Sequence, residues 1–107
     1  MASSIYNLQS VLAVTPALID SLGYEKLVFR GSDGTALPYR RLIANPDRSG
    51  RFFLMIFFHR AGSVGEDNFL QMRIPGQPFA SCVKEHRLKT VLLFPQCRAE
   101  HKWVDVP

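Results

Sequence analysis

Residues 52–58 read FFLMIFF, seven consecutive apolar side chains with nothing polar among them. A strand with one wet face alternates apolar and polar residues. A continuous apolar run bounded by turn residues instead predicts a strand covered on both faces, as in a parallel sheet. A second run of this kind, Thr90 to Phe94 (TVLLF), ends at Pro95. Between the two lie a loop carrying Gly62 and Gly65, a polar and weakly helical stretch from Glu66 to Met72, and a break at Ile74-Pro75-Gly76. Phe79 to Arg87 follows, with Phe79, Cys82 and Val83 at the i, i+3, i+4 spacing of an amphipathic helix. Strand, loop, helix and strand make a βαβ unit, for which a right-handed crossover is expected.

Upstream, Thr15 and Pro16 read as N-cap and first position of a short helix over residues 17–22, stopped by Gly23. Lys26 to Arg30 and Leu37 to Ile43 read as a hairpin around Asp33-Gly34, a pair suited to the positive φ of a type I′ turn. Pro38 suits a strand start or an edge. Asn45 to Gly50 is a turn cluster, and residues from Gln96 onward read as loop. The fold class expected is α/β, an antiparallel hairpin feeding a parallel βαβ unit, with residues 1–23 as a leading segment and 24–107 as the sheet-forming part.

Composition narrows the function classes. In 107 residues, 47% are hydrophobic, so the chain carries the apolar surface that disordered segments lack. Lys and Arg number 13 against 9 Asp and Glu, a net charge of +4, and they are scattered rather than clustered with stacking aromatics. That argues against a nucleic-acid partner. No apolar run approaches the roughly 20 residues of a membrane span. The apolar patch Val11 to Val14 lacks a basic segment ahead of it, so a short helix is expected there rather than a secretory leader. Two cysteines make no disulfide framework, which favours a reducing cytoplasm over secretion.

Ligand sites in open α/β sheets lie beyond the carboxyl ends of the strands. Two loops qualify: His59 to Asn68, and the segment from Pro95 onward. The first is rich in glycine, which lets backbone N–H groups approach an oxyanion closely. A tight turn with a surface histidine explains the same residues. An ordered set of residues carries a resemblance beyond spacing. It comprises Leu37-Pro38-Tyr39-Arg40, the apolar strand ending in His59, Gly62, Gly65, Asp67 and Asn68, then Pro95-Gln96-Cys97 and Trp103. In these, residues 24–107 resemble the N-terminal portion of an α/β-hydrolase of the esterase branch, in the phospholipase/carboxylesterase-like group with predicted peptidases and relatives of dienelactone hydrolases. The resemblance implies a serine hydrolase of acyl esters. It gives the loop His59-Arg60-Ala61-Gly62 the oxyanion hole, with Ala61 donating one N–H and Asp67 and Asn68 supporting the loop. No cofactor is implied. Arg60 departs from the family, which has glycine there; if that glycine serves a special φ, Arg60 would distort the hole.

The family's G-x-S-x-G elbow, acid and histidine belong after the fifth strand, and these 107 residues stop after the fourth. Ala61-Gly62-Ser63-Val64-Gly65 is a near match, which would make Ser63 the nucleophile with Glu85 and His101 as partners. The polar, quickly broken stretch after it does not suit the long helix of an elbow. The expectation is therefore an oxyanion-side fragment, inactive alone.

Two other readings compete. Cys82 with His86, and Cys97 with His101, are both spaced i, i+4, and two Cys with two His could hold zinc. Yet Cys82 fits the apolar face of its helix, and a buried thiol is common. The other alternative is an interaction module. In the resembled fold the sheet runs 1-2-4-3-5, so without a fifth strand the run 52–58 becomes an open edge. That edge is expected to take a complementing chain or a second copy.

Overall fold

The computed structural model describes residues 14–99 and Trp103. The patch Val11 to Ala13, and with it the expectation about a leader, lies outside the described residues, as does His101.

Helix α1 (Pro16–Ser21) starts as its sequence dictates: the Thr15 hydroxyl accepts from the Leu18 N–H at 3.1 Å, and Pro16 occupies the first turn, where no N–H is needed. Strands β1 (Glu25–Arg30) and β2 (Ala36–Ala44) form the expected hairpin. The turn differs from type I′. The Gly34 N–H donates to the Gly31 carbonyl at 3.0 Å, and of the Asp33-Gly34 pair only Gly34 has positive φ (+90°). Asp33 keeps an ordinary φ because its carboxylate turns forward to accept from the Thr35 N–H and hydroxyl, at 3.0 and 2.7 Å.

After the Asn45–Gly50 turn come β3 (Phe53–Ile56), α2 (Gly76–Glu85) and β4 (Thr90–Pro95). The sheet order is β1-β2-β4-β3, with β4 antiparallel to β2 and parallel to β3. This is an α/β sheet, an antiparallel hairpin joined to a parallel strand–helix–strand unit. Pro38 is thus in an interior strand, not at an edge. It is tolerated because the β2–β4 ladder starts one residue later, at Tyr39 paired with Pro95. Beyond it, Pro38 offers its carbonyl to the Gln96 N–H at 2.9 Å and has no N–H to return.

Other boundaries moved for physical reasons. The stretch from Glu66 to Met72 is not helical over its length; only a 3₁₀ turn forms, Leu70–Met72. Asn68 sits at φ +54°, which interrupts any regular helix there. Helix α2 begins three residues before Phe79. Pro75 and Gly76 lead into it rather than break it, and Pro78 falls in the first turn, where its missing N–H costs nothing. Arg87, at φ +55°, marks its end. The buried face of α2 is Gly76, Ala80 and Val83, so Cys82 is exposed rather than on the apolar face.

The core lies on one side of the sheet. Leu42, Ala44, Leu92 and Phe94 point there and meet Ile19 of α1 and Ala80 and Val83 of α2. Burial alternates along β2 and β4 accordingly. Tyr24 and Phe94 meet edge to face, with centroids 5.5 Å apart. Strand β3 is not covered on both faces: Phe53 is 70% exposed, and Leu54, Met55 and Ile56 are exposed with it. The two helices cover the middle strands, while β3 lies at the sheet margin. Its continuous apolar sequence shows parallel pairing with β4, but not burial.

Candidate oxyanion loop and its anchoring network

The loop after β3 leaves the carboxyl end of the parallel strand pair and is fastened at several points. His59 is buried. Its Nε2 accepts from the backbone N–H of Cys97 at 2.8 Å, and its Nδ1 lies 2.5 Å from the Arg60 carbonyl. A backbone N–H can only donate and a carbonyl can only accept. The proton of a neutral His59 therefore sits on Nδ1. The Trp103 indole N–H donates to the His59 carbonyl at 3.0 Å, and its rings flank His59 and Phe58, with centroids 4.8 and 5.0 Å away.

Past His59 the chain makes a single 3₁₀ turn, Ala61–Ser63. Arg60 precedes it at φ −75° and ψ 167°, ordinary extended backbone, with its side chain exposed. No left-handed conformation is needed there, so Arg60 does not strain the loop. Within the turn, the N–H groups of Ser63 and Val64 are taken by the carbonyls of Arg60 and Ala61. Among the described residues, the N–H groups of Ala61 and Gly62 meet no acceptor, and both residues are exposed. Gly65, at φ +151°, returns the chain toward β4, its N–H donating to the Cys97 carbonyl at 2.9 Å.

Asp67, Asn68, Gln71 and Gln96 fix the rest of the loop. One Asp67 oxygen accepts from the N–H groups of Phe69 and Leu70 and from Gln96 Nε2, at 3.0, 3.2 and 2.8 Å. Partial burial alone would raise the Asp67 carboxyl's pKa. Those hydrogen bonds favour the ionised form more strongly and hold it below the usual value. Asn68 is buried, and every polar group it has is used. Its Nδ2 donates to the carbonyls of Leu27 and Tyr39, at 3.1 and 2.9 Å, and its Oδ1 accepts from Gln71 Nε2 at 2.6 Å. Its N–H donates to Gln96 Oε1 at 2.7 Å, and its carbonyl accepts from Arg40 Nε at 2.8 Å. Arg40, 1% exposed, also reaches the Asp20 carboxylate of α1 at 2.6 Å. One chain of polar contacts thus runs from α1 through β2 to the loop.

The remaining candidate residues lie elsewhere. Ser63 gives its carbonyl to Gln96 Nε2 at 3.1 Å, and neither nitrogen of His59 is turned to it. Cys82 and His86 are exposed near the end of α2, while Cys97 is buried after β4. Among the described residues no three His, Cys, Asp or Glu side chains gather as metal ligands. No described helix is long and apolar enough to cross a membrane. Gln71, Gln96 and Arg40 were not singled out as site residues in the sequence. Arg40 and Gln96 belong to the set of residues that carries the resemblance, whereas Gln71, in the 3₁₀ turn Leu70–Met72, has no signal that spacing separates from surface.

The fold has a counterpart among solved structures. The chain is similar to a thermostable esterase of known crystal structure, with 31% identity and a TM-score of 0.58. The chain has an esterase-like α/β fold. The match covers 75% of this chain and 22% of that one, so it spans about a fifth of the esterase's length. No protein-family model and no curated protein sequence matches the chain.

Proposed function

We propose that this chain is the oxyanion-side portion of a serine hydrolase acting on carboxylic acyl esters, of the carboxylesterase and phospholipase-like kind. The observation that carries the reading is the pair of exposed N–H groups at Ala61 and Gly62, both without an acceptor among the described residues and standing beyond the carboxyl end of a parallel strand. A carbonyl oxygen gains negative charge as it is attacked. Fixed N–H donors aimed at that position stabilise the charge without reorganising. His59 and Trp103 bind the start of the loop; Asp67, Asn68 and Gln96 bind its far side. The Ala61 donor is therefore held by the fold rather than by substrate.

In this reading the nucleophile, its base and its acid lie outside these residues, and the 107-residue chain does not hydrolyse esters by itself. Ser63 lies in a 3₁₀ turn, and it is not among the described non-glycine residues at positive φ, which are Asn45, Asn68 and Arg87. The strained strand-to-helix elbow of a serine nucleophile is not what surrounds it. Assay with p-nitrophenyl esters should give no turnover that Ser63→Ala removes; turnover dependent on Ser63 would overturn this part. The loop itself is tested by grafting residues 24–99 in place of the matching segment of the thermostable esterase. A working graft should lose about 100- to 1,000-fold in kcat on Ala61→Pro. Proline removes the N–H yet suits the first position of a helical turn. An unchanged rate would refute the oxyanion assignment.

A further inference from the structure

The two edges of the sheet are defended differently. Strand β1, EKLVFR, carries three charged residues in six. The run 52–58 around β3 carries none. Charged edge residues are the usual protection against strand-to-strand pairing, and β3 lacks it. Its side chains are exposed on both faces, with Phe58 61% exposed beside the strand.

The backbone directions say which groups are open. The N–H groups of Phe53 and Phe57 donate to the carbonyls of Lys89 and Leu93, both at 2.9 Å, on the β4 side. Alternation along a strand then turns the N–H and C=O groups of Phe52, Leu54, Ile56 and Phe58 outward. No described residue pairs with them.

We infer that β3 pairs with β3 of a second copy, antiparallel, about a two-fold axis through Met55, giving one continuous eight-stranded sheet. This inference rests on the β3 edge alone, where a fifth strand of the resembled 1-2-4-3-5 sheet would otherwise pair, so the two occupants exclude each other. Antiparallel partners that exchange both hydrogen bonds must both present outward groups. Centring on Met55 sets Leu54 opposite Ile56 of the other copy and Phe52 opposite Phe58, and all four present outward groups. A shift of two residues either way leaves five apolar residues of each run facing apolar partners instead of seven. In the Met55 register Arg51 faces His59 and Arg60 faces Gly50, so no arginine meets another. A two-fold is also the commonest symmetry by which one surface satisfies itself.

The test uses the whole chain. Sedimentation of the wild type at tens of micromolar should give twice the monomer mass, and the amides of Leu54 and Ile56 should gain hydrogen-exchange protection as concentration rises. A monomer with unprotected amides overturns the inference without any variant. The register is read in a Cys82→Ser background, which removes the exposed thiol. Met55→Cys should cross-link to itself, since a residue on the axis faces its own copy with Cα atoms about 4.5 Å apart, inside disulfide reach. Leu54→Cys alone should not, but mixed with Ile56→Cys it should. Equal cross-linking of Met55→Cys and Leu54→Cys alone, or open-ended aggregates, would refute the register. Leu54→Lys should weaken the dimer by at least about tenfold with unchanged circular dichroism, because Leu54 faces away from the core.

Discussion

The backbone N–H of Cys97 donates to Nε2 of His59 at 2.8 Å, tying the residue that ends the β3 run to the segment beyond β4. Two parallel strands thereby share one polar bond past the end of their ladder. The histidine serves as a buried acceptor, and both its nitrogens are engaged by backbone, which leaves neither to act as a base toward Ser63.

His59→Ala should therefore cost about 1–3 kcal/mol, because it removes the ring that accepts from a buried N–H. Urea denaturation measures the loss. In the wild type, long-range proton–nitrogen spectra should show the neutral ring protonated at Nδ1. A ring protonated at Nε2 would contradict the hydrogen-bond assignment.

Arg40 and Asp20 make an unequal pair, the guanidinium buried and the carboxylate 62% exposed. Removing a charge's partner inside a protein costs about 3–5 kcal/mol, but water can reach the Asp20 side. Asp20→Asn is therefore expected to destabilise by about 1 kcal/mol. Arg40→Ala, which also strips the Asn68 carbonyl of its donor and empties core volume, should cost at least about 3 kcal/mol. Equal losses from the two variants would show that the buried contacts of Arg40 count for nothing.

Tyr24 is buried, and its hydroxyl donates to the Gly76 carbonyl at 2.8 Å. Burial pushes its pKa well above the usual value of 10.0, because the phenolate cannot be solvated there. The fold thus favours the neutral form. This stabilisation is complete below the unfolded pKa, near 10, and is lost as pH rises toward the folded one. Thermal melts should fall above about pH 10 in the wild type. The fall should be smaller in Tyr24→Phe, which starts about 1 kcal/mol lower for want of the hydrogen bond.

Asp67 gives the opposite sign. Its folded pKa is depressed, so its contribution is present above the unfolded value, near 4, and disappears as pH falls through the folded one. Asp67→Asn should cost about 1 kcal/mol at neutral pH, because the same three hydrogen bonds are weaker when their acceptor is uncharged. The gap to wild type should close on acidification below about pH 4. A gap independent of pH would mean that the carboxylate's charge is irrelevant.

Much of this fold is legible in residue order because local rules act on it directly. Thr15-Pro16 start a helix, the Asp33-Gly34 pair lies in the hairpin turn, and two apolar runs pair in parallel. Where the reading departs, a longer-range cause is visible. FFLMIFF states that β3 is built to be covered, but the helices reach only the middle of the sheet. The Cys82 side of α2 looked apolar until the Gly76–Ala80–Val83 stripe took the core. Asp67 and Asn68 could be marked as loop support, whereas Gln71, Gln96 and Arg40 became partners only when three strands and a loop converged on Asn68. Arg40 Nε reaches the Asn68 carbonyl, and the Asn68 N–H reaches Gln96 Oε1, each across 28 positions of sequence, a separation no local pattern encodes.

The one-sided core has a calorimetric consequence. Heat-capacity change on unfolding tracks the apolar area newly wetted, and about 1.3–1.6 kcal/mol/K is usual for a chain of this length. Here Phe29, Ile43, Leu54, Ile56 and Phe58 are exposed in the folded chain already. A monomer of this structure should absorb less heat per degree than its amino-acid content implies, and its stability curve should be correspondingly flat.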